Sequence, residues 1–325
     1  MNSKYLLISR DKRTADLFRK SWISAIKGIG SVAVMLNRRS HSILSFFYHC
    51  FICNRGVIKL IFGSAQILLC IPFCKRVDVF IFTGLGRYLM PKCWCSKPGI
   101  LYLKSFYRGQ WIIVLNEDDK KFFFENGFKN ISVLNGEGFK PYMPGPLVKV
   151  NKDRLTFGYL GRLLHSKGVG RLISVFESNS SHNLLLVGDQ DFGNADSVDV
   201  ESINLKNIAV EGYFTDKRNF FKKIDVYVSL SEREGCSFSV MEAIFSGVRL
   251  VLSDVPGHRQ FGEYPGVVLS RDVADYLNSK KFIALPQLTY SETLSRNERL
   301  MSEFGCDVIE TEMAEFLIKH DAWCR

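Results

Sequence analysis

The chain has 325 residues, 46% apolar and 23% charged, which excludes a disordered or fibrous chain and suggests two domains or one large one. Its formal net charge is +10, but residues 1–149 hold 23 Lys/Arg against 8 Asp/Glu, a net +15, while residues 150–325 hold 20 against 25, a net −5. That asymmetry excludes one domain with evenly scattered charge, and it turns the first half toward an anionic partner: nucleic acid, an anionic membrane surface or a phosphorylated substrate.

Residues 4–9 predict a short strand, and Arg10, Lys12 and Arg13 follow where a signal peptide would carry its apolar core. Residues 14–26 place Leu17, Phe18, Trp22, Ile23 and Ile26 at helical spacing, and residues 31–36 predict a second strand. The region 43–74 is too uniformly apolar to separate helix from strand. Its longest uncharged stretches, 40–54 and 60–74, have 15 residues each. A membrane-spanning helix needs about 20, so neither is read as a span. They are expected to be buried core. The alternative is a helix lying in a membrane interface, because Arg38, Arg39, Arg55, Lys59, Lys75 and Arg76 flank them.

Further strands are predicted at 78–83, ending in Gly84-Leu85-Gly86, at 111–115, followed by the acidic helix start Glu117-Asp118-Asp119, and at 131–134. Residues 141–152, with Pro141, Pro144, Gly145 and Pro146, read as a linker. The alternation restarts with strands at 156–160, 183–187, 208–210, 226–230 and 250–252, with helical segments between. Alternating strands and helices make parallel α/β sheets, here two doubly wound domains facing a cleft, with ligands expected at the carboxyl ends of strands. Nine Cys, an odd number, predict reduced thiols; six cluster at Cys50, Cys53, Cys70, Cys74, Cys93 and Cys95. Cys50 and Cys53 form a C-x-x-C with no second pair at a finger-like distance, so no metal site is predicted.

Two clusters carry chemistry. Gly161-Arg162-Leu163-Leu164-His165-Ser166-Lys167-Gly168 lies between a strand and a helix, with glycines at both ends and two cations inside. Such a loop clamps a phosphate, or is a solvated basic turn. Ser231 to Ala243 follows the strand at 226–230, and its helix runs to Gly247. Here Glu234 precedes the helix and Glu242 sits about one turn inside, so both can face a ligand across the helix N-terminus and accept bonds from sugar hydroxyls, or lie on the surface. Asp189 and Asp254 follow strands and are expected to cap turns rather than bind metal. His165 and His258 are expected in solvated loops, His258 with the greater tendency to line a cleft.

The two clusters, with Leu186-Val187-Gly188-Asp189, Val210-Glu211-Gly212-Tyr213, Ile224-Asp225-Val226 and Ser253-Asp254-Val255-Pro256-Gly257, resemble the retaining glycosyltransferases of family 4, of GT-B fold. Arg233-Glu234-Gly235 and Ser239-Val240-Met241-Glu242-Ala243 look like the branch that builds bacterial surface polysaccharides, O-antigen or capsule. Phe82-Thr83-Gly84-Leu85-Gly86 and Leu134-Asn135-Gly136-Glu137-Gly138 are similar to that branch too.

The resemblance implies an N-terminal acceptor-binding domain at 1–150, and a C-terminal nucleotide-sugar domain at 151–308 with the helix 309–325 packing back on the first. It implies transfer of a sugar, with retention, from a nucleotide diphosphate sugar (a UDP-sugar) to a lipid-diphosphate-linked saccharide, without a metal or other cofactor. Arg162 and Lys167 would neutralise the departing diphosphate, Glu234 would contact the donor sugar and Glu242 the ribose. Gly161, Glu211, Gly235, Cys236, Ser237 and Phe238 complete the implied donor site, and Gly84 and Gly86 line it from the other domain. The expected location is the cytoplasmic face of the inner membrane, with the basic first half on its anionic surface. Competing readings are an epimerase or phosphorylase of the same fold, and a nucleic-acid or membrane-binding protein. The glutamate pair and chain length argue against the first. Against nucleic acid stands the lack of a helix-turn-helix, finger or RNP pattern.

Overall fold

The computed structural model describes residues 4–9, 20–28, 32–37, 57–89, 96–142, 154–178, 180–191, 194–200, 203, 205–212, 216–279 and 287–324. The chain forms two units, one of residues 1–139 and 302–325, the other of residues 140–301. These divisions fall earlier than the expected 150 and 308.

In the first unit the order is β1 (Lys4–Ser9), α1 (Lys20–Gly28), β2 (Val32–Asn37), β3 (Val57–Phe62), α2 (Ser64–Cys70) with a 3-10 turn (Ile71–Phe73), β4 (Val79–Phe82), α3 (Gly86–Leu89), α4 (Ser96–Phe106), β5 (Trp111–Val114), α5 (Glu117–Glu125) and β6 (Ile131–Val133). All pairings are parallel, in the order β2-β1-β3-β4-β5-β6. A parallel sheet is covered on both faces, so its inner strands are apolar throughout; Val79, Phe80, Ile81 and Phe82 are all buried. The same property hid β3 from sequence reading, because a doubly buried strand shows no alternation. The stretch 60–74 belongs to this core: Leu60, Ile61, Phe62, Ile67, Cys70, Ile71 and Cys74 are buried. Residues 40–54, the cations Arg38, Arg39 and Arg55, and Cys50, Cys53, Cys93 and Cys95 lie outside the described residues. Among the described ones, no helix is long and apolar enough to cross a membrane.

Lys59 is not the flanking surface cation it resembled. It is 3% exposed, its Nζ 3.4 Å from Asp78 Oδ2 and 3.1 Å from the Phe73 carbonyl. Asp78 also accepts from the Lys59 and Lys75 backbone N–H groups, at 2.9 and 2.7 Å. Burial pushes the Asp78 carboxyl up, and Lys59 pulls it back. The pair stitches the start of β4 to β3 and the turn before it.

The second unit runs β7 (Thr156–Leu160), a 3-10 turn (His165–Lys167), α6 (Val169–Ser178), β8 (Asn183–Val187), β9 (Ile208–Glu211), α7 (Lys217–Lys223), β10 (Val226–Ser229), α8 (Phe238–Ser246), β11 (Arg249–Ser253), α9 (Pro256–Arg259), β12 (Val267–Ser270), α10 (Val273–Asn278) and α11 (Tyr290–Phe304). Its sheet is parallel, in the order β12-β11-β10-β7-β8-β9. The chain moves outward from β7 to β9, then returns to lay β10 on the other side of β7. Loops leaving β7 and β10 therefore emerge side by side. Asp216 caps α7 by accepting from the Asn219 N–H (3.1 Å), and Gly247 ends α8 at φ 88°, as its position predicted. Buried Arg296 and Asn297 of α11 donate to the Ile244 and Phe245 carbonyls at 2.5 and 2.8 Å, holding the end of α8.

The last helix, α12 (Cys306–Cys324), packs on α1, burying Ile309, Met313 and Leu317 at helical spacing, while Ser24 Oγ donates to Glu310 at 2.5 Å. Asp78→Ala is expected to destabilise the protein by about 3–5 kcal/mol, because it strands a buried ammonium and two backbone donors. Replacing Lys59 and Asp78 together by Met and Leu should recover only the part due to the ammonium, because the two backbone donors stay without the carboxylate, read as the midpoint of denaturant unfolding.

Candidate functional site

The strand order reverses at β7 and β10, and the two sequence clusters leave the sheet there. The first turn is built by backbone proximity. Gly161 N–H donates to Val187 O (3.0 Å), and Leu163 N–H to Asp189 O (3.2 Å). Gly188 has φ 156°, and a Cβ there would overlap the Gly161 carbonyl. Gly168 takes a left-handed conformation (φ 76°), and a Cβ there would collide with the Leu230 backbone. Glycines at these positions let three strand ends meet without side chains between them. Ser166 and His165 bind Asp196 through Ser166 Oγ and N and His165 N, which anchors the turn from outside.

Within this frame Lys167 Nζ donates to Glu234 Oε1 at 2.6 Å, both side chains half-buried. The structure thus joins residues that the sequence separates by 67 positions. Burial pushes the Glu234 carboxyl up. Lys167 and His258 outweigh it, with hydrogen bonds from Lys167 and Ser231, and hold it below the ordinary carboxylate range. Its backbone is fixed by Gly257 N–H, which donates to Glu234 O at 3.1 Å; a Cβ on Gly257 would strike that backbone. Gln260, at the C-cap of α9, donates from Nε2 to the Gly235 carbonyl (3.3 Å).

Glu242 is 6% exposed in α8, ion-paired with Lys217 at the start of α7. Burial pushes its carboxyl up, and Lys217 pulls it back. Lys217 was not singled out in the sequence. The signal was Asp216, a helix-capping residue just past a strand, since the first residue of such a helix lies at the ligand edge of the sheet. Arg162 is exposed, its carbonyl accepting from Tyr159 Oη (2.9 Å), and its guanidinium has no ion-pair partner among the described residues. Ser237 is the N-cap of α8 and makes no side-chain capping bond; Cys236 and Phe238 flank it, both half-buried.

Glu211 ends the edge strand β9, and Lys223 Nζ bonds both its carboxylate oxygens at 2.7 and 3.0 Å. Its carbonyl accepts from Gly188 N–H (3.2 Å), so its contribution to the turn runs through the backbone. In the first unit Gly84 (φ 127°) and Gly86 (φ 63°) follow β4, and a Cβ on Gly86 would overlap Ser64 Oγ, at the start of α2.

Two expectations are corrected. Asp254 caps no turn; its carboxylate binds Arg259 Nε at 2.5 Å and lies 3.7 Å from Arg271. Its loop starts a helix whose N-cap is Val255, so the carboxylate serves as a counter-ion. His258 is wholly buried rather than solvated, its Nδ1 2.9 Å from Ser253 O. Burial lowers its pKa against the pull of Glu234. With Nδ1 donating to Ser253 O, Nε2 has no hydrogen-bond partner among the described residues. His165 is exposed, as expected, and no described group of three His, Cys, Asp or Glu residues is placed to hold a metal.

Gly188→Ala should cost about 3 kcal/mol of stability through overlap with Gly161, read as a lowered unfolding midpoint; Gly212→Ala, where a Cβ meets open space, should cost less than 1 kcal/mol.

Residues 148–263, which include all of these second-unit contacts except those from Arg271 and α11, match the family described as Glycosyl transferases group 1. Among curated proteins, the chain is 27% identical over 176 residues to an uncharacterized glycosyltransferase of Methanocaldococcus jannaschii, covering 49% of this chain and 43% of that one. It is 26% identical over 164 residues to the O-antigen biosynthesis glycosyltransferase WbnH of Escherichia coli, covering 50% and 46%. The match thus spans less than half the length of these relatives. Among solved structures, the chain resembles a sucrose-phosphate synthase from Thermosynechococcus elongatus, with TM-score 0.75, 15% identity and 98% and 99% of the two chains covered. It also resembles Anabaena HepE in complex with UDP and glucose, with TM-score 0.66, 14% identity and 98% and 100% covered. The fold is GT-B, two parallel α/β units, and the second contains the segment that matches the glycosyl transferases group 1 family.

Proposed function

We propose that this protein is a retaining glycosyltransferase that moves a sugar from a UDP-sugar to a lipid-diphosphate-linked saccharide in the assembly of a bacterial surface polysaccharide. The observation that carries this reading is the meeting of Lys167 and Glu234 at the point where the strand order reverses, inside the segment that matches the glycosyltransferase family. A nucleotide diphosphate leaves with negative charge on its terminal phosphate. Lys167 and Arg162 supply the compensating cations, and the N-terminus of α8 adds backbone donors. Glu234, held ionised, accepts a bond from a donor-sugar hydroxyl, while Glu242 accepts from the ribose. In this mechanism the departing phosphate takes the proton of the acceptor hydroxyl, so no side chain acts as base, and no metal is required.

UDP as the nucleotide is supported by the Anabaena structure bound to UDP and glucose, and the polysaccharide role by the Escherichia coli relative named for O-antigen biosynthesis. The net +15 of residues 1–149 suits an anionic lipid acceptor and supports a location on the inner membrane's cytoplasmic face.

Purified protein given a panel of nucleotide sugars and a lipid extract should release UDP and form an α- or β-linked product with the donor's anomeric configuration, in EDTA as well as without it. An inverted product, or release that EDTA abolishes, overturns the mechanism. Arg162→Ala and Lys167→Ala should each lower kcat about 10²–10³-fold, with the unfolding midpoint unchanged in Arg162→Ala and lowered in Lys167→Ala, which strands Glu234. Lys217→Met should weaken UDP binding about tenfold or more in calorimetry. Without its counter-charge the buried Glu242 takes a proton and accepts fewer hydrogen bonds.

A further inference from the structure

We propose that the exposed face of α4, with Phe73 beside it, is the surface by which the protein lies on an anionic lipid bilayer. The inference deepens the reading of a membrane-bound acceptor and rests on it for its purpose.

On α4, Lys97, Leu101 and Lys104 follow one another at i, i+4 and i+7, and so share a face. Leu101 is 66% exposed and its neighbour Tyr102 41%, while Leu103 and Ser96 point into the core. The 3-10 turn that ends in Phe73, itself 53% exposed, packs against α4. Lys75 and Arg76 follow that turn and are exposed, and Arg76 Nε lies 3.8 Å from the Cβ position of Gly109, just past the helix. Three apolar side chains are thus surrounded by cations. No Asp or Glu occurs between Asp78 and Glu117, and neither Lys97 nor Lys104 has an ion-pair partner among the described residues.

The same unit contains a contrasting case. Phe124 on α5 is 73% exposed, but its helix carries Glu117, Asp118 and Glu125, and its lysines are taken by those acids (Lys120–Glu117 3.1 Å, Lys121–Glu125 3.9 Å). An exposed aromatic ring with paired charges has nothing to draw it to an anionic surface. On α4 the lysines have no ion-pair partner among the described residues and are long enough to reach headgroup phosphates, while Leu101, Tyr102 and Phe73 can enter the interface at acyl depth. The charge pattern therefore selects lipid headgroups as the occupant.

The test uses the full chain with vesicles of phosphatidylcholine alone or mixed with phosphatidylglycerol. The protein should sediment with the mixed vesicles and not with the neutral ones. Lys97→Gln with Lys104→Gln should lower the partition coefficient about thirtyfold, two charges at about 1 kcal/mol each. Leu101→Trp should shift its emission to the blue on mixed vesicles, and Phe124→Trp should not. No sedimentation of the wild type, unchanged partitioning of the double variant, or a shift at Phe124→Trp without one at Leu101→Trp each overturns the proposal. UDP release measured without vesicles is independent of these outcomes, so a failed transferase reading and a failed docking surface are told apart.

Discussion

Every strand of a parallel sheet leaves at the same edge, so whatever chemistry the connecting loops carry is delivered to one side. In the second unit that constraint acquires an address. The sheet is wound outward from β7 and then back to β10, which leaves the loops after these two strands without a crossover helix between them. The contact of Lys167 with Glu234 is a product of this winding. No local propensity brings the two together. The glycines at 168, 188 and 257 serve the same end, since each lies where backbone from another segment passes too close for a side chain. The site is thus first a problem of backbone clearance, and only then of charge.

Charge is managed in pairs. The half of the chain that carries the site is net acidic, yet each carboxylate of the glutamate pair meets a lysine from a different element, Lys167 from the turn after β7 and Lys217 from α7. A carboxylate taken out of water must be compensated or lose its charge. With a lysine beside it, Glu234 keeps its charge against the cost of burial. Two lysines already committed to glutamates leave Arg162 as an exposed cation beside them with no ion-pair partner among the described residues.

Much of the fold was legible because its punctuation is local. Strands 4–9, 156–160 and 183–187 were bounded to the residue. The last two run directly into Gly161 and Gly188, which mark the ends. β3 was lost in a region apolar on both faces, where periodicity carries no information, and β12 is four half-buried residues with little pattern to read. The clusters around Lys167 and Glu234 were legible through their order along the chain, but Lys217 was not, because its importance lies in what it touches. His258 failed the other way: a His between Gly257 and Arg259 reads as a surface loop, and only the fold of α9 under Ser253 takes it out of water. Lys59 is the same lesson in the first unit, where a cation beside an apolar run proved to be the inner half of an ion pair.

The first unit is interrupted: residues 302–325 return to it after the whole second unit has been traversed. A ribosome makes the strands of that sheet early, but the helix that covers α1 and buries Ile309, Met313 and Leu317 comes last. The nascent basic half must therefore wait, with an apolar stripe uncovered, through the synthesis of some 160 further residues at about 5–20 per second. The second unit, continuous from 140 to 301, meets no such delay. The order of maturation is then the reverse of the order of synthesis, and the half with the greater charge is the one that spends longest exposed to whatever binds unfinished chains.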